Sequence, residues 1–251
     1  MLMMTLVRML RRGEVIICEQ PLVVWPSNLN AQGAESLISQ MTTSARNLYM
    51  SLANAQPTES TLSPILAIRA TNGFTVQLPP IPSGSASTTQ QAEFSENHNP
   101  SHASFIFPRI ARINHDCLPN ADHAIDWSTL QMTVYATCDI EEGSEIAIEY
   151  TSGMIQKSRA ERRQVLKDNF AFTCGCSLCG RSETEVAKSD ERRKEISRLV
   201  QVVGEAGAAG ASRRKEVAQS LMGIKALLSE EGYKASTFSL DNIRINFDWI
   251  W

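Results

Sequence analysis

The run Cys174-Gly175-Cys176-Ser177-Leu178-Cys179 places three thiols within six residues, and no other stretch constrains the fold so tightly. Thiolates converging at this spacing suit tetrahedral zinc, and Gly175 eases the turn between the first two. A closed structural site takes a fourth ligand. The candidates are Cys117, Cys138, Cys18 and His123. Cys117 is preferred because it sits in an irregular polar loop. Cys18 and Cys138 lie in or beside apolar strands, where a small buried hydrophobe is the expected role. The bland alternative is three unrelated thiols.

The N-terminal "MLMMTLVRML" lacks a leading basic region and is interrupted by Arg8, so it does not read as a secretory signal. Without one, the six cysteines are expected as thiols or metal ligands rather than as a disulfide framework. No apolar run is long enough to span a bilayer. A net charge of -3 gives no general reason to bind nucleic acid or an acidic membrane. The 251 residues, 43% of them apolar, can hold one sizeable domain plus an appendage. The expectation is an intracellular protein of the nucleus, the cytoplasm or both, binding neither membrane nor nucleic acid.

Gly13–Trp25 is rich in Val and Ile and split by Pro21, which predicts two short strands or a bent one. Leu37, Ile38, Met41, Ala45, Leu48, Tyr49 and Leu52 recur at helical spacing and predict one amphipathic helix. A short helix is expected after Ser63-Pro64, and "TNGFTVQL" reads as a turn into a strand. Residues 79–104 are polar and rich in Pro, Ser and Gln, which predicts a mobile insertion whose His98 and His102 are solvated. "LQMTVYATCDI" and "SEIAIEY" are β-rich runs joined by the turn "EEG". Ser158-x-x-Glu161 is a capping box that opens a helix. Beyond the cysteines, Ile196, Leu199, Val200 and Val203 mark one helix, and Val217, Leu221, Ile224 and Leu228 another, separated by "GEAGAAGA". The arginines of "DERRKE" (Arg192, Arg193) are expected on a charged helix face, and Asp116, Asp122 and His123 in a solvated loop. The terminal "FDWIW" has no evident partner.

The loop "ARINHDCLPNADH" (Ala111–His123) packs amides, an imidazole and a thiol together, which suits a metal site, a thiol nucleophile or a polar ligand pocket. Taken in order, "RGEVIICEQPLV", "RINHDCLPNA", "YATCDIEEGSEIAIEY" and "FTCGCSLC" resemble the SET-domain protein lysine methyltransferases, nearest the SET and MYND branch and its fungal relatives. The likeness covers roughly residues 8–180, and no MYND module is present in the chain. It implies an α+β fold of short β-sheets with a pseudoknot, a zinc-binding post-SET tail and a C-terminal helical appendage. The SET domain would take residues 1–168, with a helical insert at 31–70, the zinc segment 169–180 and the helical region 181–251.

The resemblance also implies roles. Asn114 would hydrogen-bond the methionine part of S-adenosylmethionine, and His115 would contact its adenine, largely through the backbone. Phe172 would pack on the adenine. Asn72 and Phe74 would line the cofactor and lysine sides. Tyr150 would stand at the methyl-transfer centre, and Cys117 would close the zinc site with Cys174, Cys176 and Cys179. Methyl transfer from a sulfonium to an amine needs alignment and a neutral lysine of a protein substrate, not a nucleophilic side chain. The sequence departs from the family at its start, where Met1 and Met3 stand in place of a Gly-x-Gly turn. This raises the alternative of a truncated or catalytically silent SET-like interaction module that binds the cofactor weakly, if at all. A zinc-stabilised nucleic-acid binder is disfavoured by the acidic charge balance.

Overall fold

The computed structural model describes residues 5, 7–26, 29–56, 61–78, 102–208 and 213–233. Met1, Met3, His98, nearly all of the expected 79–104 insertion and the "FDWIW" terminus lie outside the described residues. Those described form strands β1 (Val15–Glu19), β2 (Val23–Pro26), β3 (Gly73–Gln77), β4 (His102–Ile106), β5 (Asn114–His115), β6 (Ala121–Asp126), β7 (Gln131–Ala136) and β8 (Ala147–Ile148). The helices are α1 (Ala31–Ser39), α2 (Thr43–Met50), α3 (Pro64–Asn72), α4 (Arg159–Phe170), α5 (Glu183–Ala208) and α6 (Arg214–Glu231). The architecture is mixed α+β, with small sheets and helices. No helix among the described residues is long and apolar enough to cross a membrane.

Two compact units divide these residues. One takes the chain up to Ile17, Ile113–Ala124 and the residues from Thr133 onward; the other takes Cys18–Arg112 and Ile125–Met132.

The second unit is a β2-β4-β3 antiparallel sheet accompanied by the first three helices. Pro21 does separate two strands, as its missing N–H and fixed φ require. Val23, Trp25, Ala34, Ile38, Tyr49, Leu52, Ile68 and Ile106 form its core, and burying a side chain such as Ile106 contributes about 2 kcal/mol. The single helix expected over residues 37–52 is two helices. Thr42 adopts an extended backbone, and its hydroxyl accepts from the Ala45 N–H, so the second helix starts afresh there. Ser63 caps α3 ahead of Pro64. Regular structure is found within the last residues of the stretch expected as an insertion. His102 opens β4, and Ala103 and Ser104 are buried, the latter hydroxyl meeting that of Thr75 at 2.7 Å. Cys18, expected as a buried hydrophobe, is exposed and bonded to the Gln131 amide oxygen. Asn72 ends α3 with its amide donating to the Ala53 and Ile68 carbonyls, and Phe74 packs edge-on against Phe107.

The first unit holds most of a sheet ordered β1-β7-β6, together with the two-stranded parallel pair β5-β8. The β-rich runs either side of "EEG" therefore do not pair with each other. After β7 the backbone is taken up by Leu10, whose N–H and carbonyl both bond Ile140 at 2.9 Å. Cys138 is buried with Leu10, Ala136 and Ile140, as expected of a small apolar side chain. The Ser158–Glu161 capping box is formed in both directions and starts α4. Ile196, Val203, Val217, Ile224 and Leu228 face one another between α5 and α6, which is the helical periodicity seen in sequence. The helix α5 continues through Gly204 to Ala208, into the stretch expected as a linker.

The expectation for Arg193 is overturned. Its side chain is 1% exposed and pairs with Glu231, itself 0% exposed, at 3.2 Å. Arg192 also reaches Glu231, and Ser189 donates to it at 2.6 Å. Burial alone would push the Glu231 carboxyl up; these hydrogen bonds and cations hold it below the ordinary carboxylate range. Heptad-like spacing reports which face of a helix is apolar, not whether an arginine on it meets a carboxylate from elsewhere.

Candidate functional site

The pairing of β5 with β8 builds the site. Asn114 lies opposite Ala147 and His115 opposite Ile148, so Asn114-His115 is set beside the segment that ends in Glu149 and Tyr150. Asn120 secures this arrangement by donating to the Glu145 carbonyl and accepting from the Ala147 N–H. The Asn114 amide nitrogen donates to Glu145, while its Oδ1 is buried and has no hydrogen-bond partner among the described residues. A buried acceptor left unpaired is costly unless something supplies a donor, which makes this oxygen a candidate contact for a ligand.

An aromatic wall stands next to it. The Tyr150 ring lies 5.4 Å from the His115 ring and 4.9 Å from that of Phe170, and Phe172 is 6.2 Å from His115. Ala171 ends α4 in the left-handed region, φ 55°, and this reversal turns the phenylalanines on both sides of it toward Tyr150. Phe170 was missed in sequence because it reads there as an ordinary helix residue.

Tyr150 donates its hydroxyl proton to the Ile113 carbonyl at 2.8 Å. Burial, with the nearby Glu145 charge, raises its pKa to about 12, so it stays protonated at neutral pH and its oxygen lone pairs remain available. Burial keeps the His115 imidazole uncharged, its pKa lowered to about 4. Asp116, expected in a solvated loop, is half-buried; its carboxyl is pushed up to about 7 by burial, and it accepts from the Leu118 N–H. Asp122 and His123 are residues of β6 rather than of a loop.

Cys117, Cys174, Cys176 and Cys179 converge, with all four sulfurs within 4.8 Å of one another. The remaining candidates for the fourth position, Cys18, Cys138 and His123, are not in this group. Cys117, Cys174 and Cys179 are buried. Hydrogen bonds from Cys117 and Cys174 pull Cys176 below the ordinary thiol range, and Cys117, bonded to its three neighbours, is pushed above it. Arg162 is buried beside them, its guanidinium on the Lys157 carbonyl and, at 3.8 Å, on Cys179 Sγ. A buried cation calls for compensating negative charge, which thiolate in this cluster would provide. Arg163 holds the carbonyls of Cys174 and Cys179, fixing the backbone of the triplet. Four sulfur donors this close together could hold a metal ion.

Comparison with known proteins agrees with this geometry. The SET domain family model matches residues 5–151. The chain is 31% identical over 186 residues to histone-lysine N-methyltransferase set5 of Schizosaccharomyces pombe, covering 74% of this chain and 49% of that protein. It is 34% identical over 83 residues to protein-lysine N-trimethyltransferase SMYD5 of Gallus gallus, covering 32% and 20%. It is 33% identical over 89 residues to N-lysine methyltransferase SMYD2-B of Danio rerio, covering 36% and 20%. The matched regions thus span about half of the first relative and about a fifth of the other two. With the motif-bearing strands, the thiol cluster and the family match in agreement, the chain belongs to the SET-domain family, related to its SMYD members and their fungal relatives.

Proposed function

We propose that this chain is an S-adenosylmethionine-dependent protein lysine N-methyltransferase, acting on a histone or another protein, with a structural zinc on Cys117, Cys174, Cys176 and Cys179. The observation that carries the reading is the pairing of β5 with β8, which sets Asn114, with its unsatisfied buried Oδ1, beside the segment that runs on to Tyr150, whose hydroxyl proton is already committed. The cofactor, when bound, supplies an electrophilic methyl on a sulfonium. Asn114 Oδ1 would accept from its ammonium group, and the ring of Phe172 would pack on its adenine. Because the His115 Nδ1 is occupied by the Tyr150 N–H, His115 would meet the adenine through its backbone. Tyr150 would accept a hydrogen bond from the substrate amine and orient it; its raised pKa argues against a role as base. Asn72 and Phe74 remain proposed for the cofactor and lysine sides.

The relatives bearing lysine methyltransferase names support the activity. In this reading the SET domain covers residues 1–168, with its insert at 31–70 and its pseudoknot around Asn114–Cys117. Residues 169–180 form the post-SET zinc segment, and 181–251 a helical appendage. The competing reading, a silent SET-like interaction module, rests on Met1 and Met3 at the Gly-x-Gly position. Calorimetric titration with S-adenosylmethionine, followed by tritiated-methyl transfer to a lysine-rich protein mixture, separates the two. Binding with transfer supports the enzyme; binding without transfer, or no binding, supports the silent module.

A further inference from the structure

The α5–α6 hairpin ends in a residue that the readings above leave unused. Tyr233 follows α6 after Gly232, which turns the chain at φ 101°. Its ring is buried against the hairpin core, and its hydroxyl donates to the Cys117 carbonyl at 2.6 Å, across 116 residues of chain. Two residues upstream, Glu231 is locked by Ser189, Arg192 and Arg193, and Arg181 donates to its carbonyl at 3.0 Å. Arg193 also donates to the Met154 carbonyl, at 3.0 Å, and Met154 packs in the cysteine cluster. The end of α6 is therefore tied to the loop that carries Cys117, the one member of the four-cysteine cluster remote in sequence from the other three.

We infer that Tyr233 is a positioning residue for metal retention: its hydroxyl holds the Cys117 backbone so that the Cys117 thiolate stays on the zinc. This rests on the zinc reading above. Within the triplet, Cys174, Cys176 and Cys179 are held together by their short spacing and by Arg163. Cys117 comes from another part of the chain. The Leu118 N–H on Asp116 Oδ1 shapes its loop locally, but Tyr233 anchors it to the helical hairpin. Such a ligand is the one whose release would open the site first, and restraining it slows metal loss.

The test is the rate at which a chromogenic chelator withdraws zinc from the purified full chain, compared among the native protein, Tyr233→Phe and Leu228→Ala. Tyr233→Phe keeps the ring and removes only the hydroxyl; Leu228→Ala weakens the hairpin core without touching Cys117. The expected result is release about fivefold faster for Tyr233→Phe, the effect of one neutral hydrogen bond. Leu228→Ala should lower the melting temperature more but speed release less. If Tyr233→Phe releases zinc at the native rate, or Leu228→Ala is at least as fast, Tyr233 is only a core residue and the inference fails. Native protein purified without zinc overturns the metal reading and this inference together.

Discussion

The Tyr150 backbone N–H donates to His115 Nδ1 at 3.2 Å, and His115 Nε2 in turn lies 3.4 Å from Cys117 Sγ. The first contact makes Nδ1 an acceptor, so the neutral ring carries its proton on Nε2, pointed at the sulfur. One imidazole therefore connects the strand end that bears Tyr150 to the thiol cluster. Met154, Leu166, Tyr150 and Phe172 pack around the same cysteines, which reinforces the connection.

Purified protein is expected to hold close to one zinc per chain, and Cys117→Ser to lose most of it. Chelation should also weaken S-adenosylmethionine binding, because metal loss frees Cys117 and with it His115. Elemental analysis and calorimetric titration before and after chelation check both; unchanged cofactor affinity in stripped protein would show that the connection carries no energy.

Asn114→Ala should weaken cofactor binding by roughly tenfold to a hundredfold, the loss of a hydrogen bond to a charged group. The expected signature is this weaker affinity in calorimetry beside only the modest fall in melting temperature that losing the Nδ2 hydrogen bond to Glu145 brings, since the Oδ1 has no protein partner. A change in melting temperature alone would count against a ligand role.

Tyr150→Phe is expected to leave cofactor affinity within about twofold while slowing methyl transfer about a hundredfold, the scale of a misaligned reacting pair. Single-turnover kinetics with labelled cofactor separate binding from transfer. Equal losses in both steps would assign Tyr150 to the cofactor pocket rather than to the amine.

Glu149 gives a pH prediction. Burial raises its carboxyl from 4.5 to about 7, against the opposing hydrogen bond from the Met154 N–H. The folded state thus binds the proton more tightly than the unfolded chain. The contribution of this group to stability is full below about 4.5 and is lost as pH rises to about 7. Glu149→Gln cannot titrate, so its melting temperature should gain on that of the native protein steadily across this window. Parallel melting curves at every pH would contradict the buried-acid assignment.

Breaking the clasp of α5 and α6 should be severe. Glu231→Gln leaves the buried Arg193 without its counter-charge and is expected to cost about 3 kcal/mol, read from denaturant unfolding. A loss below about 1 kcal/mol would reduce the pair to a surface-like ion bridge.

The sequence by itself determined the local pieces. Pro21 dictated a break between strands, Ser63-Pro64 and Ser158-x-x-Glu161 marked helix starts, and the apolar spacing in α5 and α6 gave their shared face. The three clustered cysteines and the Asn-His-x-Cys loop pointed to the site, because short spacing restricts which atoms can meet. Only the tertiary structure decided what arrives from far along the chain. It brought Cys117, already preferred in sequence for its polar loop, to the triplet, aimed Phe170 at Tyr150, buried Arg193 against Glu231 and laid the Tyr233 hydroxyl on the Cys117 carbonyl. Those contacts join residues between 20 and 116 positions apart. Nothing in local propensity encodes them; they follow from how the elements pack once each has buried its apolar face.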